Sequence, residues 1–193
     1  MGGMEALRDE CLACRRCKIG GCMVEGRFLS NVFSNMNCSA RLMVVGQNPG
    51  RDEVEKAEPF VGVSGGIWDH AASAAGMSRS DFYFSNVLRC YTPGNRKPFQ
   101  EELDACRMFL DREIEILRPR LIVALGSHAF KALTGMSGIM KHVGETVFSP
   151  RYRTSVFPLL HPSPLNTNVP EKMAMFVAGL SRLKEAASRE SPA

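Results

Sequence analysis

Apolar residues fall into short continuous runs that alternate with longer stretches in which they recur every three or four positions. The continuous runs predict four buried strands, at residues 41–46, 82–88, 121–125 and 156–160. The periodic stretches predict helices near 4–13 and over about 64–75, 100–117, 126–133 and 170–187, and the apolar face is clearest over 100–117. Charged residues predict a loop at 51–63, and Gly and Pro predict a turn-rich loop at 91–98.

Strands that are apolar throughout and alternate with helices are typical of a mostly parallel sheet with helices on both faces. We therefore predict an α/β fold with the four strands at the centre of its sheet. A chain of 193 residues can bury one sizeable core. The simplest organisation is a single domain over residues 1–193, with a cysteine-bearing segment of about 1–40 packed on it.

Composition narrows the function class only slightly. The chain is 45% hydrophobic and 23% charged, which is ordinary for a globular protein in water. No apolar run approaches the roughly 18 residues that span a bilayer, and the first residues lack the apolar region of a signal peptide. We therefore expect no membrane association and a cytoplasmic location. The net charge of +4 permits a polyanionic partner without requiring one.

Seven cysteines are the main candidates for binding a metal. An odd number of cysteines in a cytoplasmic chain argues against a disulfide framework. Cys14 and Cys17 have the spacing that lets two thiolates bind one metal centre, although Cys11 and Cys14 offer an overlapping register. Cys90 ends a predicted strand, and Cys106 lies on the buried face of the next helix, so both sulfurs can meet beside the N-terminal segment. Four thiolates suit Zn²⁺ or an iron–sulfur cluster. The cysteines that we do not expect to be ligands are Cys22 and Cys38.

Two loops stiffened by Gly and Pro carry the best candidates for chemistry. Gly-Gln-Asn-Pro-Gly at 46–50 follows the first predicted strand, and His-Pro-Ser-Pro-Leu at 161–165 follows the fourth. In an α/β sheet, the loops at the carboxyl ends of strands line the ligand crevice. These two loops would therefore bring an amide and an imidazole close together, an arrangement that suits chemistry on a small planar polar group.

A longer set of motifs occurs in one order between residue 11 and about residue 182. Besides the C-x-x-C pair and the loop 46–50, it comprises Pro59-Phe60-Val61-Gly62, Ser85-Asn86-Val87, Cys90, Asn95-Arg96-x-Pro98, Cys106, Leu125-Gly126-Ser127 and His161-Pro162-Ser163-Pro164. The set resembles the uracil-DNA glycosylase superfamily, specifically its iron–sulfur-containing family 4 and neighbouring families. Each motif is weak by itself, but their shared order over nearly the whole chain is specific.

The resemblance implies a fold, a cofactor and a partner. The fold is a three-layer α/β/α arrangement around a central sheet of four parallel strands. The cofactor is a [4Fe–4S] cluster on Cys14, Cys17, Cys90 and Cys106, with structural zinc as the alternative. The partner is DNA that contains uracil or another deaminated base. The activity is that of a monofunctional glycosylase of base-excision repair, which hydrolyses the N-glycosidic bond, and we expect it to be monomeric.

The resemblance also implies how a base flipped out of DNA would be held. Phe60 would stack on the base, and the amide of Asn86 would pair with N3–H and O4 of uracil, a pattern that cytosine reverses. Gly46 and Gln47 would line the same pocket. Glu53 falls where family 4 is thought to use a carboxylate against thymine, although a solvated surface charge is an equally good interpretation.

Three residues are implied in cleavage of the bond, which leaves negative charge on uracil and positive charge on the sugar. His161 Nε2 and a backbone N–H near Gln47 would donate to the developing charge on uracil O2. Asn48 occupies the water-activating position. An amide cannot act as a general base there, but it can orient water toward a sugar that is already cationic.

The contacts implied with DNA involve the second loop and the turn-rich segment. Leu165 would enter the space that the flipped base vacates, as the intercalating leucine of family 1 does. Ser163 and Arg96 are candidates for contacts with phosphate or within the loops, and phosphate contacts position the enzyme without reading sequence.

The first motif is where the chain departs from family 4. Gln47 and Asn48 replace the usual Glu-Ala, so that the loop resembles those of the single-strand-selective and mismatch-specific branches. Ala57 stands where a glycine is usual. Two alternatives therefore stay open: a glycosylase for deaminated purines such as hypoxanthine or xanthine, and a protein that binds or covalently traps uracil-DNA. Relatives that trap DNA carry a nucleophilic His in a long loop, whereas the loop 91–98 is short and has none.

Overall fold

The centre of the fold is a five-stranded sheet, seen in a computed structural model that describes residues 2–20, 23–24, 27–28 and 31–189. The strands in chain order are β1 (Met23–Val24), β2 (Arg27–Phe28), β3 (Leu42–Gly46), β4 (Phe82–Asn86), β5 (Leu121–Leu125), β6 (Val147–Ser149) and β7 (Thr154–Leu159). The helices are α1 (Gly2–Leu12), α2 (Arg51–Lys56), α3 (Val63–Ala74), α4 (Gln100–Leu117), α5 (Ser127–Thr134), α6 (Pro164–Thr167) and α7 (Pro170–Arg189).

The order of strands across the sheet is β4-β3-β5-β7-β6, and β1 and β2 form a separate antiparallel pair. The four predicted strands are the four parallel ones, which confirms the α/β class and the parallel centre of the sheet. The fifth strand, β6, was not predicted. It is only three residues long and pairs antiparallel with β7 at the edge, so its apolar pattern is too short to recognise.

Helices cover both faces of the sheet, as the apolar strands require. On one face, α3 and α7 pack aromatic side chains such as Trp68 and Phe176 against Phe82, Phe84 and Phe157 of the strands. On the other face, α1, α4 and α5 contribute the buried side chains Leu7, Phe109 and Phe130, which pack with Met43 and Tyr83. The result is the three-layer arrangement expected of the sequence.

The stretch 51–63, predicted to be a loop, begins with the short helix α2. Acidic side chains in its first turn favour the helix dipole, and the Glu53 carboxylate caps the helix by accepting the backbone N–H of Gly50 at 2.9 Å. The helix ends at Ala57, whose backbone is left-handed with φ of 54°. Six residues are too few for a periodic pattern, which is why the helix escaped prediction. The same holds for α6, which has four residues.

The N-terminal helix belongs to the main core. Met4, Leu7 and Cys11 on α1 are buried in the cluster that also holds Phe109 and Leu110 of α4. Within the part of the chain that the structure describes, no helix combines the length and apolar character needed to cross a membrane.

Candidate functional site

Three predicted site residues meet at the carboxyl ends of β3 and β4. Gly46 and Asn86 are register partners at the last position of the two strands. A Cβ atom on Gly46 would lie 2.5 Å from Asn86 Oδ1 and 2.7 Å from Phe60 Cζ. Asn86 and Phe60 are both buried, at 3% and 6% exposure. Only glycine leaves room for the amide and the ring to face one another across the end of the sheet.

Phe60 is held in an unusual backbone conformation. Its φ is 56°, in the left-handed region that a bulky residue rarely adopts. The ring packs against Phe84 with 5.3 Å between centroids, and the Phe60 carbonyl lies over the backbone of Gly65 in α3. Strain of this kind persists only where surrounding contacts impose it, and it is common at ligand sites.

Glu53 ties the two halves of the pocket together. Its Oε2 accepts the backbone N–H of Gly50 at 2.9 Å, and its Oε1 accepts those of Val61 at 3.1 Å and Gly62 at 2.8 Å. The residue is only 9% exposed, so the interpretation of Glu53 as a solvated surface charge is wrong. Because its carboxylate binds backbone on both sides, Glu53 joins the loop 46–50 to the segment that carries Phe60.

Side-chain amides form a chain above the first loop. Gln47 Nε2 donates to Asn48 Oδ1 at 2.7 Å, and Asn48 Nδ2 donates to the Pro49 carbonyl at 2.9 Å and to Asn95 Oδ1 at 3.4 Å. Asn95 was not predicted as a site residue. It follows Pro-Gly in a turn and has a left-handed φ of 54°, which Asn tolerates better than most residues. The sequence feature that could have pointed to Asn95 is this Pro-Gly-Asn turn.

His161 follows β7 and lies beside β5. Its carbonyl accepts the backbone N–H of Ser163 at 2.8 Å and the side chain of Asn166 at 2.9 Å, which fixes the start of the second loop. A Cβ atom on Gly126 would lie 3.3 Å from His161 Cβ. Burial lowers the pKa of His161, and the nearby Glu53 carboxylate opposes that shift only in part. At neutral pH the imidazole is therefore uncharged, and one ring nitrogen carries a proton it can donate.

The second loop leads into an exposed apolar side chain. Ser163 stands at the N-cap position of α6. Leu165 on that helix is 87% exposed, more than any other large apolar residue that the structure describes. The position is compatible with insertion into DNA, which stays a prediction. Asn166, which anchors the loop through the carbonyl of His161, was missed in the sequence.

Arg96 is engaged within the protein. Its guanidinium donates two hydrogen bonds to the Glu102 carboxylate, at 2.5 and 2.9 Å, and lies 4.0 Å above the centre of the Phe99 ring. Glu102 is buried at 4% exposure and caps α4 through the backbone N–H of Phe99. Arg96 therefore braces the turn-rich loop against α4, and its contact with phosphate stays a prediction.

The four predicted metal ligands pack against the same part of the core. Cys90 and Cys106 are buried, and Cys14 and Cys17 are half-buried beside them. Burial raises the pKa of Cys106 to about 11; the positive charge of Arg89 opposes the shift, and Cys14 and Cys17 add to it. The four thiols therefore lie within electrostatic reach of one another. Among the described residues, however, no three His, Cys, Asp or Glu side chains are already arranged to hold a metal ion. Cys22 lies outside the described residues.

The alternative ligand, Cys11, faces the interior. It is fully buried on α1, and burial raises its pKa to about 12. Its carbonyl accepts the side-chain N–H of Asn31 at 2.6 Å, and Asn31 also contacts Cys90 Sγ at 3.1 Å. Cys11 is thus a neighbour of the four cysteines, and the structure leaves both registers of the N-terminal pair available.

A buried ion pair connects the cysteines with β4. Arg89 and Glu113 are both buried, and the guanidinium also contacts Ser85, the residue before Asn86. Tyr83 donates to Glu113 at 2.8 Å, and the backbone N–H of Arg89 donates to Cys106 Sγ at 3.3 Å. This network was not predicted from the sequence, because a charged residue on a helix, such as Glu113 on α4, is normally exposed.

Comparisons of the sequence with known proteins point to one superfamily. The sequence model of the Uracil DNA glycosylase superfamily matches residues 33–184. The chain is 32% identical over 199 residues to the Type-4 uracil-DNA glycosylase of Saccharolobus solfataricus, with 97% of this chain and 88% of that protein covered. It is 31% identical over 173 residues to the Type-4 uracil-DNA glycosylase of Sulfurisphaera tokodaii, with 84% and 76% covered. It is 40% identical over 90 residues to a Type-5 uracil-DNA glycosylase of Pyrobaculum aerophilum, with 45% and 38% covered.

Proposed function

We infer that this chain, which belongs to the uracil DNA glycosylase superfamily, removes uracil from DNA by hydrolysing its N-glycosidic bond. The observation that carries the proposal is the meeting of the Asn86 amide and the Phe60 ring over Gly46 at the carboxyl edge of the sheet. A planar base can enter such a site only after it has been flipped out of the duplex, at a cost of a few kcal/mol.

Asn86 selects the base in this proposal. Its amide can accept the N3–H of uracil and donate to O4, whereas cytosine presents the opposite pattern. Because Asn86 is buried, the wrong base would leave polar groups unpaired, at about 1–3 kcal/mol for each. Phe60 adds stacking energy but does not discriminate among bases, since every base has an aromatic face.

Glu53 acts on the pocket indirectly. Both carboxylate oxygens accept backbone N–H groups, so the carboxylate has few lone pairs left for the base itself. We propose that Glu53 excludes thymine by setting the distance between the loop 46–50 and Phe60, because Gly50 has no side chain with which to block the 5-methyl group.

His161 and the backbone near Gln47 stabilise the leaving base. As the bond breaks, negative charge develops on uracil O2, and preorganised donors lower the barrier most effectively in a site that excludes water. A neutral imidazole is sufficient as the donor. The hydrogen bonds from Ser163 and Asn166 to the His161 carbonyl hold the main chain in place, so the donor does not need to reorganise.

Asn48 and Asn95 orient the water molecule. Neither amide can take a proton, so the role we propose is to hold water near the sugar carbon while the base departs. Their contact at 3.4 Å means that water would be placed by a pair of amides rather than by Asn48 alone. Leu165 fills the vacated stack in the duplex, and Ser163 approaches the phosphate backbone.

The cysteines are proposed to hold a [4Fe–4S] cluster. The donor set fits this group: Cys14, Cys17, Cys90 and Cys106 are all thiols, and an N–H···S hydrogen bond already reaches Cys106 Sγ from Arg89. When bound, the cluster would pin the N-terminal segment to the loop after β4 without entering the reaction. Zinc on the same thiolates is the alternative.

Metal content and absorption test the cofactor. We expect iron, acid-labile sulfide and broad absorption in the purified protein, and loss of these on changing any of the four cysteines to serine. Cys38→Ser, at an exposed position, is the control, and Cys11→Ser tests the overlapping register. Zinc without iron would favour the alternative. A purified protein that contains no iron and no zinc would overturn the proposal of a metal site.

The proposed activity is tested with labelled oligonucleotides that contain one uracil, hypoxanthine or xanthine. Abasic sites are cleaved with alkali and resolved on a denaturing gel. We expect cleavage at uracil. Hypoxanthine and xanthine deserve inclusion because their N1–H and O6 present the same pattern to Asn86 as uracil does. Cleavage at purines alone would replace uracil as the substrate, and a shifted covalent band would indicate trapping. A cytoplasmic location and a monomeric state stay predictions from the sequence.

A further inference from the structure

We propose that Phe99 and the basic residues around it form a subsite for a nucleotide beside the target, and that this subsite favours DNA that is unpaired on one side. The proposal rests on the function proposed above, because it extends that site along the strand. The subsite adjoins the base pocket and is formed by the N-terminal cysteine segment and the start of α4.

Phe99 presents an aromatic ring to solvent. It precedes the first residue of α4 and is 61% exposed. The Arg96 guanidinium lies 4.0 Å from the ring centre and is itself held by Glu102. The ring is therefore part of a braced structure, with its position fixed by a stacked cation and a helix start. Such a ring is preorganised to stack on a base.

A cavity of about 530 Å³ lies between this ring and the cysteine segment. Its walls are formed by residues 16–19 on one side and by Arg96, Phe99, Glu101 and Glu102 on the other. Arg16 and Lys18 are exposed cations that outnumber the one exposed carboxylate of the wall, Glu101, and the charge of Glu102 is balanced by Arg96. An apolar ring beside cations matches the chemistry of a nucleotide, which has a flat base and an anionic phosphate.

The surface is continuous with the candidate site. Asn95 directly precedes Arg96, and its side chain accepts a hydrogen bond from Asn48. A DNA strand that places a base in the pocket would therefore pass along the segment 95–99.

Phe99 can stack only on a base that has an open face. In a duplex, each base is already stacked above and below, whereas in a single strand a neighbouring base can swing onto the ring. Base–aromatic stacking of this kind is worth roughly 5- to 150-fold in affinity per base. The subsite should therefore strengthen binding to single-stranded DNA far more than binding to a duplex.

Fluorescence anisotropy tests the subsite with a labelled uracil-free oligonucleotide, single-stranded or annealed to its complement. We expect Phe99→Ala and Phe99→Leu to weaken single-strand binding about tenfold and duplex binding much less. Phe99→Tyr keeps the ring and should bind like the unmodified protein. Phe148→Ala is the matched control, because Phe148 is also 61% exposed but lies on the edge strand β6.

Salt dependence tests the basic part of the subsite. Loss of one phosphate contact reduces the slope of log K against log salt by about 0.7 for single strands. We expect that change for Arg16→Ala. We expect no change in the slope for Arg153→Ala. Arg153 is an exposed arginine just before β7, at the amino ends of the strands and therefore opposite the candidate site.

The two proposals fail in distinguishable ways. Binding to uracil-free DNA does not depend on base excision. If the protein excises uracil, and its Phe99→Ala and Phe148→Ala variants bind single-stranded DNA with equal affinity, the subsite alone is overturned. A Phe99-dependent preference for single strands in a protein that never cleaves overturns the glycosylase activity alone. Thermal unfolding of each variant shows whether lost binding reflects lost folding.

Discussion

Gly65 lies against the carbonyl group of Phe60 so closely that a Cβ atom on Gly65 would be 1.8 Å from the Phe60 oxygen. The contact joins the first turn of α3 to the residue whose ring faces Asn86. At this contact the backbone of Phe60 is left-handed, with φ of 56°. The position of the proposed stacking ring is thus set by a residue that never touches the base.

Gly65→Ala should therefore displace Phe60. We expect a loss of about 1–3 kcal/mol in the free energy of unfolding from overpacking, and a larger fall in uracil excision than that loss explains. Gly66→Ala is the matched control, since a Cβ there meets nothing within 4 Å and alanine favours the helix by about 0.5–1 kcal/mol. Urea unfolding and single-turnover excision measure both effects. Equal behaviour of the two variants would contradict the argument.

Asn48→Ala should slow excision on the order of a hundredfold while leaving affinity for uracil-DNA nearly unchanged, because water is held less well but the base is still recognised. Asn48→Asp supplies a carboxylate that can accept a proton, so we expect a rate at or above that of the unmodified protein. Single-turnover kinetics at saturating enzyme separate the chemical step from binding. Near-normal turnover of Asn48→Ala would remove Asn48 from the mechanism.

The stability of the protein should fall as the solution becomes acidic, in part through His161. Burial lowers its folded-state pKa below the ordinary value, so the unfolded chain takes up this proton first as pH falls. The contribution of neutral His161 to the free energy of unfolding is therefore complete above about pH 6.5, and it declines as the pH drops through the folded-state pKa. Urea unfolding at pH 7.5 and pH 5 measures it. His161→Gln should reduce the difference in the free energy of unfolding between pH 7.5 and pH 5. His70→Gln, at an exposed position on α3, should leave that difference unchanged.

Glu53→Gln should loosen the pocket. A glutamine has one acceptor oxygen where Glu53 uses two, so at least one of the backbone N–H groups of Gly50, Val61 and Gly62 loses its partner, at about 1–3 kcal/mol. Excision of uracil should slow, and discrimination against thymine should weaken. Glu55→Gln on the same helix removes only an exposed i,i+4 pair with Arg51, about 0.3–0.5 kcal/mol, and should leave both activities as they are. Thymine discrimination is measured with U·G and T·G duplexes, and unchanged discrimination in Glu53→Gln would restrict Glu53 to stability.

Local pattern was sufficient for most of the fold. The helix over Gln100–Leu117 and the strand over Leu121–Leu125 agree with their predicted bounds. Burial of one face gives the helix a period of three to four residues, and burial of both faces gives the strand a continuous apolar run. The prediction of short elements failed because they show no such pattern. The helix Arg51–Lys56 and the edge strand Val147–Ser149 each contain too few residues to show a period, and both form through contacts with other segments.

The sequence by itself determined the α/β class and the resemblance to the glycosylase superfamily, and it singled out the loops at Gly46, Asn86 and His161 as candidates, since motifs and burial patterns are local properties of the chain. The tertiary structure alone decided how side chains distant in sequence are used. Glu53 proved to be a buried link rather than a surface charge, and Asn95 proved to lie beside Asn48, 47 residues away. The physical reason is that a hydrogen bond or a close contact depends on the positions of both partners, and only the packed sheet and its loops bring such partners together.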